Sequence, residues 1–185
     1  TRSVTVARAL AEQALTGVGS VADIGGGTGV VLATLLAAHP RLRGVLFELP
    51  DVAAQARRHL AGQEITVMEG DMFGTPLPRA GLYLLGNILH NYPDERAAKL
   101  LARISALMDA DGRLWIVDTI LDDDPRRSPT SAVALDMKML TLFSGGQERT
   151  LSEVGALLES AGLAVARTEP MPHGLHLLEA RLRNG

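Results

Sequence analysis

The 185-residue chain contains no cysteine, and that single absence excludes disulfide staples, thiolate metal centres and thiol nucleophiles together. It fits a reducing compartment, so a cytoplasmic location is expected. Aromatic residues are scarce, with three Phe, two Tyr and one Trp, which leaves few rings to stack on a flat ligand. There is no excess of base: 18 Lys and Arg stand against 21 Asp and Glu, interspersed along the chain, for a net charge of -3. Without a basic stripe to neutralise phosphates, nucleic acid is not an expected partner. No apolar run reaches the roughly 18 to 20 residues that span a bilayer, and the amino terminus lacks the basic-then-apolar layout of a signal peptide, so no membrane partner is expected. An initiator methionine is missing too. The chain starts at Thr1 and soon enters the amphipathic stretch VARALAEQALTG (6–17), which suggests a domain-level piece of a longer protein.

What is present is a rhythm. Short apolar runs, VADI (21–24), GVLFEL (44–49), ITVMEGD (65–71), LYLLGNI (82–88) and DGRLWIVDTI (111–120), alternate with helical periods: VVLATLLAA, DVAAQARRHLAG, and a stretch from Asp94 to about Met108. That pattern predicts one α/β domain over residues 1–185, with a mostly parallel sheet covered by helices on both faces. DDDPRRSPTS (122–131) reads as a solvated surface loop, AVALDMKMLTLF (132–143) as a helix, and TLSEVGALLESAG (150–162) as a second helix. The latter opens on a capping box, Thr150 to Glu153, and stops at Gly162. LAVARTE and HLLEARL alternate apolar and polar residues and predict two closing antiparallel strands. The chain has no internal repeat and no low-complexity tract.

Chemistry concentrates at the carboxyl ends of the predicted strands, where open parallel sheets bind ligands. Gly25, Gly26, Gly27 and Gly29 lie between a strand and a helix. There, glycine lets the backbone approach a ligand while the helix start offers free N–H groups and partial positive charge. A nucleotide-like ligand is implied. A dinucleotide fingerprint would place its third glycine at position 30, which is Val30, so NAD is disfavoured. Glu48 ends the second strand and is able to accept both hydroxyls of a ribose; Asp71 ends the third and is able to accept from an exocyclic amine, with Met72 packing on a base. At LYLLGNILHNYPDE (82–95) an apolar run ends at His90, and Pro93, Asp94 and Glu95 open a helix. On the residues alone, the reading favoured for His90 is a structural strand-end residue.

The segments VADIGGGTG, FELP, EGDMF, ILHNYPDE and GGQERT, in this order, resemble the S-adenosylmethionine-dependent O-methyltransferases related to plant caffeate and flavonoid enzymes and to bacterial tailoring enzymes of polyketide and carotenoid pathways. The resemblance runs from about Val21 to the end. It implies a Rossmann-like, doubly wound, seven-stranded sheet with an antiparallel last strand, the class I methyltransferase fold. It implies S-adenosylmethionine as cofactor, held by Asp23, Gly25, Gly26, Gly27, Glu48, Leu49, Asp71, Met72, Phe73 and Asn87. It implies that His90 is the general base, with Glu148 and Asp118 as its acidic partners. No metal is needed, because a sulfonium is already an activated methyl donor. Asn91, Asp136, Met137, Met139, Leu140 and Phe143 are the implied acceptor contacts. Departures are local: His90-Asn91-Tyr92 stands where relatives often carry His-Asp-Trp, and Gly86 where plant relatives carry a lysine.

The implied acceptor is a hydroxylated small molecule, aromatic or polyketide-like. Relatives without methyl-transfer chemistry tend to lack the histidine that this chain keeps. An amino-methyltransferase of nucleic acids needs an Asn/Asp-Pro-Pro-aromatic segment, which HNYP is not. Relatives also carry an N-terminal winged-helix-like dimerisation domain, and the expectation is that it is absent here. A cofactor-binding module without turnover is therefore the competing expectation, and the oligomeric state stays open.

Overall fold

The computed structural model describes residues 2–123 and 146–183. Their strands are β1 (Ser20–Ile24), β2 (Arg43–Glu48), β3 (Ile65–Glu69), β4 (Leu82–Gly86), β5 (Arg113–Leu121), β6 (Arg149–Thr150), β7 (Leu163–Met171) and β8 (Leu175–Leu182). The helices are α1 (Arg2–Ala11), α2 (Val30–Ala38), α3 (Pro50–His59), α4 (Asp94–Ser105) and α5 (Leu151–Ser160), with a three-residue 3-10 turn at Leu89–Asn91.

Seven strands follow the order β3-β2-β1-β4-β5-β8-β7, and the two-residue β6 lies beside β5. All pairings from β3 across to β5 are parallel, while β8 is antiparallel to both β5 and β7. The predicted architecture is thus observed, with β6 as an addition. Because strands buried on both faces cannot alternate apolar and polar residues, β1 and β4 read as near-continuous apolar runs. One apolar layer joins the sheet to α1, α2 and α3 through Leu10, Leu32, Leu35, Ala56, Leu84 and Trp115. The other joins it to α4 and α5 through Ala97, Leu101, Ile104, Val154, Leu158 and Ile116. The chain winds outward from β1 to β3 and then returns to lay β4 on the other side of β1. The crevice at that reversal, beyond the carboxyl ends of β1 and β4, is where this topology leaves room for a ligand.

Several boundaries differ from the sequence reading, and two of them have a tertiary reason. The pattern of VARALAEQALTG extends to Gly17, but α1 covers Arg2–Ala11. His39, at the end of α2, lies 2.8 Å from the Ala11 carbonyl through Nε2, and Arg113 on β5 donates to the carbonyls of Ala14 (3.1 Å) and Thr16 (2.7 Å). Those carbonyls are held outside a helix. The run ending at Ile88 likewise loses its last residues, because Asn87 adopts φ 55° and its N–H donates to Val117 O at 2.8 Å. Both halves of the capping box form: Thr150 Oγ1 accepts from Glu153 N, and Glu153 Oε2 accepts from Thr150 N. The helix predicted over 132–143, and with it Asp136, Met137, Met139, Leu140 and Phe143, lies outside the described residues.

Candidate active site

Within β1 one residue breaks the apolar run. Asp23 is only 1% exposed, and its Oδ2 has no hydrogen-bond partner. Burial, and secondarily the charge of Glu48, pushes its carboxyl up to about 7. Above it the chain turns through Gly25 (φ 73°), whose N–H donates to Phe47 O at 2.8 Å. Gly26 packs so closely over Asp23 that a Cβ there would overlap the carboxylate. Gly29, at φ 81°, then caps the start of α2. These residues floor a cleft of about 440 Å³ that Asn87, Leu84 and Val117 continue along β4 and β5. Arg2, Ser3, Val6 and Leu10 of α1 wall it on the remaining side. The sequence reading missed that wall, since nothing local to α1 says which strand ends it covers.

The remaining predicted cofactor residues, Glu48, Leu49, Asp71, Met72 and Phe73, are not among the residues lining that cleft. Glu48 is tied to the glycine loop: Oε1 accepts from Gly27 N at 3.0 Å and Oε2 from Leu49 N at 2.7 Å. Asp71 is exposed and closes its own turn by accepting from Phe73 N at 2.9 Å. Met72 lies beside Gly25, where its Cε would be 3.3 Å from an added Cβ. Phe73 meets Tyr92 edge to face at 4.9 Å, and the Arg96 guanidinium sits 4.1 Å over the Phe73 ring. Asn91 donates from Nδ2 to Asn87 O at 2.9 Å, turning its amide toward the β4 turn.

Next to this cleft the 3-10 turn brings His90 against two acids that are remote in sequence. Nδ1 lies 3.2 Å from Glu148 Oε1 and 3.2 Å from Asp118 Oδ1, and all three residues are buried. A carboxylate only accepts, so Nδ1 carries the proton and donates it to Glu148, leaving Nε2 as the basic nitrogen. Burial works against the imidazolium. The hydrogen bond that Nδ1 donates to Glu148 and the charges of Asp118 and Glu148 outweigh it, so the pKa of His90 is raised. Asp118 is pushed up to about 7, first by burial and also by Glu148, with His90 opposing. The shorter side chain of Asp118 reaches the imidazole because β5 runs directly beside β4, pairing Gly86 with Val117. Such an arrangement can hold an imidazole in one tautomer and accept a proton at its other nitrogen. Among the described residues this is also the one group of three or more acids or histidines close enough to share an ion.

A parallel α/β sheet with a glycine-floored crevice at its reversal point defines a cofactor-binding α/β domain, and the histidine held by acids lies in a separate small pocket, three residues beyond Asn87 of that crevice. The O-methyltransferase domain family matches residues 1–164, and the chain belongs to that family. It is 38% identical over 170 residues to mitomycin biosynthesis 6-O-methyltransferase of Streptomyces lavendulae, covering 89% of this chain and 48% of that protein. It superimposes on the structure of a mitomycin 7-O-methyltransferase with a TM-score of 0.91 at 37% identity, over 98% of this chain and 54% of that one. An O-methyltransferase from neocarzinostatin biosynthesis, solved with S-adenosylmethionine and 2-hydroxy-5-methyl naphthoic acid, gives 0.84 at 31% identity, over 95% and 53% of the two chains. The chain therefore spans about half the length of the relatives it matches. No helix among the described residues is long and apolar enough to cross a membrane.

Proposed function

We propose that this chain binds S-adenosylmethionine in the glycine-loop cleft and transfers its methyl group to a hydroxyl of a small aromatic or polyketide-like molecule, with His90 as general base. The observation that carries the reading is the buried imidazole whose Nδ1 is committed to Glu148, in a small pocket whose His90 and Asp118 follow the cleft residues Asn87 and Val117 along the chain.

The residues fit the cofactor on three counts. The partnerless Asp23 Oδ2 suits an ammonium, the Glu48 carboxylate keeps lone pairs for a diol, and the close packing at Gly26 leaves backbone rather than side chain facing the cleft. Asp71, Met72, Phe73 and Leu49 offer an acceptor and an apolar surface for a base. Bound there, the cofactor supplies a methyl group on a positively charged sulfur. The chain supplies the rest. A phenol has a pKa near 10 and is mostly neutral at pH 7, so a base poised nearby makes it a nucleophile as it reacts. Glu148 and Asp118 stabilise the imidazolium formed when His90 takes that proton, as the orienting acid does in other acid-histidine pairs. Asn91 lies on the same turn and is proposed to meet the acceptor. A cytoplasmic location and a small-molecule partner follow from the same reading.

Calorimetric titration with S-adenosylhomocysteine is the first test, with Glu48→Ala beside the parent chain. Micromolar binding weakened about tenfold or more in the variant is expected; equal binding in both removes Glu48 from the site. His90→Ala should lower methyl transfer by about 10²- to 10⁴-fold with that binding unchanged. Loss of binding in His90→Ala would make His90 structural and overturn the base assignment.

A further inference from the structure

We propose that Arg149 is the positioning residue of the site: its buried guanidinium holds the turn carrying His90 in register with the segment carrying Glu148. This rests on the reading of His90 as base.

Arg149 is only 3% exposed, yet it is a full cation, while the other buried polar groups among the described residues are mostly acids. Its fork is used on three sides. One terminal nitrogen donates to Leu89 O at 2.9 Å, the other to Tyr92 O at 2.7 Å, and Nε donates to Asp94 Oδ1 at 2.9 Å. Leu89 and Tyr92 flank His90, so the guanidinium grips the turn on both sides of the imidazole. The neighbouring Gln147 completes the clamp: its N–H donates to His90 O at 2.9 Å and its side-chain amide to Asp94 Oδ1 at 2.8 Å. Glu148 lies between these two residues and meets His90 Nδ1. The backbone of 147–149 is placed in turn by β6, which pairs Arg149 with Ile120 and Thr150 with Leu121 on the strand carrying Asp118. Three chain segments that share no local sequence are thereby locked at one point.

A lysine cannot reproduce this. Its ammonium is a point charge without the planar fork that spans two carbonyls and a carboxylate at once. Without the fork, the carbonyls of Leu89 and Tyr92 are left without their cation, and the 3.2 Å contact between His90 and Glu148 is held only by the Gln147 N–H to His90 O and by the pairing of β6 with β5. Errors of about 1 Å in such contacts cost on the order of 10²-fold in rate. The groups that face His90 and set its titration are Glu148 and Asp118, which raise it, and Arg2, which lowers it.

The test follows the imidazole directly by ¹⁵N NMR in the parent chain, Arg149→Met and Arg149→Lys, with His90→Gln identifying the signal among the five histidines. In Arg149→Met the titration midpoint of His90 is expected to move to lower pH and the preference for the Nδ1–H tautomer to be lost, with Arg149→Lys intermediate. Binding of S-adenosylhomocysteine within about threefold of the parent marks the fold as intact. An unchanged midpoint and tautomer in a folded Arg149→Met protein overturns the proposal. Should Arg149→Met fail to fold, Asp94→Asn, at the exposed outer end of the clamp, takes its place: the same downward movement, smaller, supports the proposal and no movement overturns it. If His90→Gln retains methyl transfer, the base reading fails while the NMR result still judges the clamp.

Discussion

Replacing Asp23 by asparagine isolates the least satisfied charge in the cleft. The carboxyl is buried, has a partnerless oxygen and is pushed up to about 7, so the ligand-free protein holds it largely protonated below neutrality. A ligand bearing an ammonium binds the ionised form. Its affinity should therefore fall about tenfold for each pH unit below 7, or about 10²-fold between pH 8 and pH 5, which is roughly 2.7 kcal/mol. Folding stability moves in the opposite sense. The unfolded chain loses this proton near 3.8, the folded chain only near 7. Across that window the folded state binds more protons, so stability declines as pH rises, by an upper figure of roughly 4 kcal/mol for this one group. Asp118 adds a decline of the same sign, so the quantity to read is the difference between the parent and Asp23→Asn. Calorimetric titration with S-adenosylhomocysteine from pH 5 to 8, in two buffers of different ionisation enthalpy, measures affinity and proton release together. Urea unfolding over the same range measures stability. The parent should release close to one proton on binding near pH 6. Asp23→Asn should bind weakly at every pH and gain stability over the parent at pH 8. Parent affinity that is flat from pH 5 to 8, with no gain in the variant, would refute the reasoning.

Gly26→Ala drives a methyl group into the Asp23 carboxylate; a loss of about 1 to 3 kcal/mol in urea unfolding is expected, with adenosyl-ligand binding lost in calorimetry. Glu179, buried on β8, accepts from Trp115 Nε1 and Arg167 Nε, both at 3.1 Å, and from Arg181 at 2.8 Å. Its carboxyl is held below the usual carboxylate range by these bonds in spite of burial. Glu179→Ala leaves the indole N–H and a guanidinium without their acceptor and should cost about 3 kcal/mol with the His90 titration unmoved. A variant as stable as the parent would show the network contributes nothing net.

The parallel sheet and its helices were readable from the chain because strand and helix periods are local properties, and because glycines and acids at strand ends carry their conformational and chemical meaning with them. The capping box is legible for the same reason: Thr150 and Glu153 satisfy each other within one turn. A periodic run does not say where it is interrupted. The stop of α1 at Ala11 depends on His39 and on Arg113, the latter about a hundred positions away. His90, Asp118 and Glu148 were associated in the sequence reading only through resemblance, since a separation of 58 positions between His90 and Glu148 carries no local signal that they meet.

Sequence alone thus determined most of the elements seen in the described residues, β6 apart, where the glycine loop lies and which residue types stand at the strand ends, because these depend on interactions among near neighbours. Tertiary structure alone decided that Asp23 is buried with one oxygen lacking a partner, that α1 walls the cleft and that Arg149 clamps the turn of His90. Burial and charge pairing are properties of the space between elements, and that space exists only once β1, β4, β5 and β6 lie side by side.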